Sequence, residues 1–267
     1  MLQTFMICLC CASGWLERGY NLITPPPGSI LTGNVTVSAE EMLTTLAEVD
    51  VILVGEKHDD PLAHRWELFI WISLASRDRS LALEMFETDV QDLLDSYLAG
   101  EVTLDEFLEG SRPWGNYAED YSLMVEYAAL NGFQVIAANV PRHFASNVAR
   151  NGWEPLEAEA FFLDISVDSS STLYRNLFLE TMGLVGDQMH DMPMDPLNMY
   201  RAQLLKDAVM AASIAGRKCV FVCGSFHSDY HSGIPDQLPE GTSFLTVKVL
   251  EEEEEYDPAM ADFVVVR

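Results

Sequence analysis

Two apolar runs in this chain close in the same way, Val51-Ile52-Leu53-Val54-Gly55-Glu56-Lys57-His58 early on and Val220-Phe221-Val222-Cys223-Gly224-Ser225-Phe226-His227 much later. An unbroken apolar run of this length fits a strand covered on both faces, since a half-exposed strand alternates. Each run ends in Gly-x-x-His, which sets a histidine just past the C-terminal end of the strand. Open α/β sheets bind ligands there, because neighbouring crossovers diverge and leave a crevice. One such histidine is ordinarily structural. Two in matching positions, one of them beside Glu56, point to a site.

Between the two runs, strand and helix patterns alternate without a long linker or a low-complexity tract, the signature of the α/β class. Asp59-Asp60-Pro61 supplies a cap and a first-turn proline for a helix over Leu62 to Ala75. Leu81 to Met85 reads as a second strand carrying Glu84. Asp89 to Leu98, Leu104 to Leu108 and Tyr117 to Asn131 read as helices, forming a helical insertion over roughly 87–131. Phe133 to Ala138 is a third strand, followed by Asn139-Val140-Pro141-Arg142, and a long helix runs from about Pro196 to Ala215. Phe244 to Leu250 and Phe263 to Val266 are expected to close the sheet as an antiparallel pair at one edge.

The chain of 267 residues is long enough for one large core, and residues 12–267 are expected to form a single domain. A net charge of −27 argues against nucleic acid, because a phosphate backbone needs a basic face. Acidic surface also discourages adsorption to anionic lipid, and Glu251 to Glu255 reads as a solvated loop or strand edge. Met1 to Cys11 is apolar and runs into Cys10-Cys11-Ala12-Ser13-Gly14, which looks like a lipoprotein signal over residues 1–11, degenerate in lacking a basic leader. The expectation is export with a lipid anchor as the sole membrane contact. Cys219 and Cys223, four apart on one strand, are too distant to pair and read as core.

His58, His227, Glu56 and Glu84 all fall at or near strand ends, so one crevice can collect two imidazoles and two carboxylates. That set suits a divalent metal ion on His58 and His227, or a base and its orienter in hydrolysis. Arg142, past a third strand end, has the planar fork to hold a carboxylate or phosphate. The plainer alternative is a set of buried pairs that fix loops, with Glu84 paired to Arg142.

A second constellation spans Gly186 to Tyr200 and contains His190, Met189, Met192, Met194, Met199 and Tyr200. His, Tyr and Met all ligate haem iron, and a Tyr anion suits ferric iron. Tyr200, Gln203, Asp207 and Met210 share one helical face that is too polar for ordinary core. The thioethers around a histidine also fit a soft cuprous site, and a Met-rich loop packing on apolar surface remains a third reading.

Several pieces carry a resemblance: Val54-Gly55-Glu56-Lys57-His58-Asp59-Asp60-Pro61, Leu83-Glu84-Met85-Phe86, Ala138-Asn139-Val140-Pro141-Arg142, Tyr200-Arg201-Ala202-Gln203-Leu204-Leu205-Lys206-Asp207 and Gly233-Ile234-Pro235. In that order, from about Val51 to Leu238, the chain resembles the ChaN family, iron-regulated haem-binding lipoproteins of the wider Tiki and erythromycin-esterase superfamily. The resemblance implies a mixed, mostly parallel central sheet with helices on both faces and a small helical subdomain. It also implies haem uptake or storage at the bacterial envelope, in company with envelope haem-transport components. A homodimer would enclose two haems face to face, each iron held by a Tyr of one subunit and assisted by a His of the other. Tyr200 and His190 best fit those parts, with Gln203 and Met192 beside them; Tyr174, Tyr230 and His231 are substitutes. The same superfamily supplies the rival, a Tiki-like metal-dependent hydrolase working through the paired Gly-x-x-His motifs with Glu56, His58, Glu84, His227 and Arg142.

Overall fold

The computed structural model describes residues 24–153, 165–183 and 194–267. The chain enters as a hairpin, β1 (Ser29–Thr32) and β2 (Val35–Val37), and passes through α1 (Ala39–Leu46) to β3 (Val51–Glu56). Asp60 then caps α2 (Pro61–Leu74) by accepting from the Leu62 N–H, with Pro61 in the first turn where its missing N–H costs nothing. After β4 (Arg79–Glu87) come α3 (Gln91–Leu98), α4 (Leu104–Ser111), α5 (Tyr117–Asp120) and α6 (Ser122–Asn131), which lead to β5 (Val135–Asn139). The helices α7 (Arg142–Asn151), α8 (Thr172–Thr181) and α9 (Pro196–Ser213) precede β6 (Lys218–Gly224). Two 3₁₀ turns, α10 (Ile234–Gln237), β7 (Phe244–Val249) and β8 (Phe263–Val266) complete the chain.

The eight strands form one sheet in the order β2-β1-β8-β7-β3-β6-β4-β5. From β8 to β5 every neighbouring pair is parallel, and only β1 runs antiparallel to its neighbours β2 and β8. This is a mixed, mostly parallel α/β sheet. Its two faces sort the apolar runs by period two. Ile52, Val54, Leu83, Val220 and Val222 join Trp66, Trp71, Phe107 and Met124 in the larger core. Val51, Leu53, Phe221, Cys219 and Cys223, the two cysteines free and buried, pack on Met210, Ile214 and Ile234. Helices therefore cover both faces, as uninterrupted apolar strands require.

Three expectations change. β7 and β8 are parallel, not antiparallel, and neither lies at an edge. A parallel pair needs a crossover of a dozen or more residues, and the acidic stretch through Glu251–Glu255 provides that length rather than a hairpin. The edge on that side belongs to β2, within a hairpin that the sequence reading passed over because its strands are only four and three residues long. The helix expected over Tyr117 to Asn131 breaks at Tyr121, whose φ of −112° interrupts the turn, and whose ring is fully buried.

Candidate functional site

The C-terminal ends of β3, β6 and β4, which are neighbours in the sheet, open onto a cleft of about 380 Å³ whose lining includes Glu56, His58, Glu84, Gln203, Gly224 and His227. The two Gly-x-x-His motifs meet there through their glycines. A Cβ on Gly224 would lie 2.9 Å from the His58 ring, and a Cβ on Gly55 would lie 2.7 Å from Ser228 Oγ and 3.0 Å from Ser225 Cα. Each glycine thus makes room for the other motif: Gly224 for the first imidazole, Gly55 for the 3₁₀ turn that carries the second.

Glu56, at the end of β3, accepts from the Tyr121 hydroxyl at 2.6 Å and bonds His58 Nδ1 at 2.8 Å, both through Oε1. Burial alone would raise this carboxyl, but the imidazoles of His58 and His64 beside it outweigh burial and hold it down to about 2. His58 is the accessible member, its ring edge-on to Trp114 at 4.4 Å. Desolvation lowers its affinity for a proton, while the Glu56 bond and the Glu84 charge reverse that and raise it.

Glu84 projects from β4, where its Oε2 accepts from the Gly224 N–H at 2.7 Å and its Oε1 lies 3.3 Å from His227 Nε2. His227 Nδ1 faces Asp207 of α9 at 2.5 Å, and Asp207 in turn accepts from the Tyr174 hydroxyl at 2.6 Å. Burial opposes a charged imidazole at His227, yet the two carboxylates flanking it overcome that and push it up to about 10. The same imidazole keeps Glu84 near 2 despite complete burial. His227 is therefore held as a cation between two acids, and His58 across Gly224 is the imidazole left open to the cleft. Gln203 links the clusters by donating to the Tyr174 hydroxyl at 3.2 Å and meeting the His227 ring at the same distance.

Arg142 sits elsewhere. Its guanidinium pairs with Glu87, which also holds Arg112, so Glu87 rather than Glu84 is its partner. Together with Lys206 it lines a neighbouring cleft of about 450 Å³ that touches the first through Glu84.

Tyr200, on the first turns of α9, is 3% exposed among Tyr174, Phe178 and Leu204, and its hydroxyl donates to the Ser171 carbonyl at 3.5 Å. Burial first, then the charges of Asp236 and Asp207, push the phenol up to about 12. Gln203 and Asp207 share its helix but bond to Tyr174 and His227 instead. Tyr230 and His231 lie on the turn after His227, where His231 bonds Asp262. His190, Met189, Met192 and the residue 1–11 segment fall outside the described residues; Met194 is exposed and Met199 packs against the Tyr174–Phe178 cluster.

Sequence reasoning missed His64, Glu67, Tyr121 and the Asp207–His227 pair. His64 and Glu67 lie in Pro61-Leu62-Ala63-His64-Arg65-Trp66-Glu67-Leu68-Phe69-Ile70, three residues apart on a helix whose remaining interior is apolar, and that interruption was a readable signal.

An α/β protein with paired Gly-x-x-His strand ends facing a long capping helix is the class that this geometry defines. A family profile described as "Haem-binding uptake, Tiki superfamily, ChaN" matches residues 42–238, well over half of the chain. The chain belongs to this family. Among solved structures it is similar to one titled "Cofacial heme binding to ChaN of Campylobacter jejuni", at a TM-score of 0.72 and 22% identity, covering 90% of this chain and 96% of that one. The type III effector HopBA1 aligns at a TM-score of 0.45 and 11% identity, over 84% of this chain and 90% of its own. No curated protein matches the sequence.

Proposed function

We propose that this protein binds haem at the bacterial cell envelope, in haem or iron uptake or storage, with the porphyrin held between two copies of the chain and its ferric iron on Tyr200. Family membership supports haem as the ligand. The observation that supports the placement is that, of the seven large apolar side chains exposed among the described residues, Leu173, Met182, Met194 and Leu197 lie on or beside α8 and α9, the two helices that pack around Tyr200. Exposed apolar surface of this kind suits the face of a porphyrin, which a second copy of the chain would cover from the other side. Tyr200 fits as the iron ligand because a phenolate oxygen is hard and anionic, and because the hydrogen bond of its hydroxyl to Ser171, 3.5 Å long, is weak enough to exchange for iron. His190 of the partner subunit would assist, with Gln203 and Met192 alongside. Residues 1–11 would carry the lipid anchor.

Titration of purified protein with haemin tests this reading. The expected result is a ferric high-spin spectrum with a tyrosinate charge-transfer band, together with haem-dependent dimerisation in sedimentation. Tyr200→Phe removes the band and keeps the fold, while Met192→Leu leaves the band in place. An unchanged spectrum in Tyr200→Phe overturns the assignment.

A second reading rests on the meeting of Glu56, His58, Glu84 and His227 in one cleft. With His58 as base or metal ligand and His227 as a fixed cation beside a developing negative charge, the cleft is equipped for hydrolysis. That reading requires esterase or peptidase turnover by the purified protein that His58→Ala abolishes.

A further inference from the structure

Between β3 and α2, Glu56 meets two side chains that neither reading uses, His64 and Glu67. Glu56 turns its second oxygen, Oε2, away from His58 and towards His64 Nδ1 at 2.9 Å, and Glu67 Oε2 lies 3.2 Å from the same nitrogen. One Nδ1–H serves one acceptor, and the aligned hydrogen bond goes to Glu67. Glu56 Oε2, Glu67 Oε1 and His64 Nε2 are left buried without a hydrogen-bond partner. Glu67 is fully buried in an otherwise apolar stretch of helix. Two carboxylates in such a place need a cation or a proton between them.

We propose that Glu56, His64 and Glu67 bind one divalent first-row transition-metal ion, through a carboxylate oxygen from each glutamate and Nδ1 of the histidine. One ligand atom from each residue lies within 4.8 Å of the others. Ligands about 2.0–2.2 Å from a tetrahedral ion are themselves about 3.3 Å apart, and the spacings of 2.9 and 3.2 Å around His64 Nδ1 are close to that. The i, i+3 spacing of His64 and Glu67 puts both on one side of α2, the spacing, in reversed order, of the Glu-x-x-His pairs in helical carboxylate metal proteins. The other face of the imidazole is supplied as well: His64 Nε2 lies 3.5 Å from Asp120 Oδ2, so Nε2–H directed at that carboxylate leaves Nδ1 unprotonated for metal. The Asp120 side chain is 22% exposed, so the imidazole has a partly solvated carboxylate on its far side. Because Glu56 holds His58 through Oε1 and the ion through Oε2, the ion would also fix the floor of the cleft.

In the metal-free chain the cluster is held by protons. Burial first, and then the charge of Glu56, push the Glu67 carboxyl well above its usual range. His64 is raised as well, since its hydrogen bonds to Glu56 and Glu67 more than offset desolvation. Glu67→Gln is consequently a near-isosteric copy of the protonated side chain and is expected to fold.

The test uses chelator-stripped, haem-free protein titrated with Co²⁺ and Zn²⁺, read by cobalt d–d absorption, metal content after gel filtration, and thermal shift. The wild type is expected to retain one ion per chain and to melt at a higher temperature with it, because the ion binds only the folded state. Asp120→Asn weakens binding about 10- to 100-fold, and Glu67→Gln weakens it more than about 100-fold while its metal-free melting temperature stays near wild type. His227→Gln retains the ion. Absence of stoichiometric binding by the wild type overturns the proposal. So does retention of the ion by Glu67→Gln, including the case where His227→Gln loses it, which would move the ion to the upper cleft. None of these readouts depends on haem, so failure here is distinct from failure of the haem reading.

Discussion

Replacing His227 by glutamine leaves Glu84 and Asp207 facing each other with no cation between them. Removing one partner from a buried ionic group costs about 3–5 kcal/mol. The pH dependence follows from the two shifts. His227 is raised from 6.5 to about 10, so its contribution is complete below pH 6.5 and is lost as pH rises through 10. Glu84 is lowered from 4.5 to about 2, so its contribution is complete above pH 4.5 and is lost as pH falls through 2. For metal-free, haem-free protein, the gap in melting temperature between wild type and His227→Gln is therefore widest between pH 4.5 and 6.5 and narrows towards pH 10. A gap that grows with alkalinity would mean that His227 is neutral in the fold.

The strand ends make a separate demand. A methyl group at Gly224 meets the His58 ring at 2.9 Å, and the imidazole is the part able to move. Gly224→Ala is expected to turn His58 out of its bond with Glu56, leaving the sheet intact; the His58 titration followed by NMR should fall back towards an ordinary histidine. Gly55→Ala meets Ser225 backbone as well as Ser228 and is expected to destabilise the fold more. These strand ends were legible because a long apolar run, a glycine and a histidine each leave a mark in sequence. The helical side of the site was not. Tyr174 bonds Asp207 across 33 residues, and no local spacing records which face of α8 meets α9. His64 and Glu67 did leave a mark, two polar residues three apart in the apolar interior of α2, but nothing local says that Glu56 of β3 meets them. β7 and β8 were found as strands, but their direction depends on a crossover that composition alone described as a solvated acidic loop.

At the scale of the whole molecule, the sheet is assembled out of sequence order. β6 pairs with β3 on one side and β4 on the other, so two early strands flank one made far later. A fragment ending at residue 217 lacks the strand that joins them, and it is expected to be largely insoluble or molten, with weak near-ultraviolet circular dichroism. The full chain should refold slowly, because parallel pairs between distant segments close large loops before contacts reward them. During synthesis, both edges of β3 and the β6-facing edge of β4 stay unpaired through more than half of the translation that follows residue 87, until Lys218–Gly224 arrives. With a net charge of −27, nascent chains are expected to repel one another while those edges wait. The cleft is thus timed as well as placed: it does not exist on the polysome until His227 has left the exit tunnel, and no half-made chain can capture a ligand there.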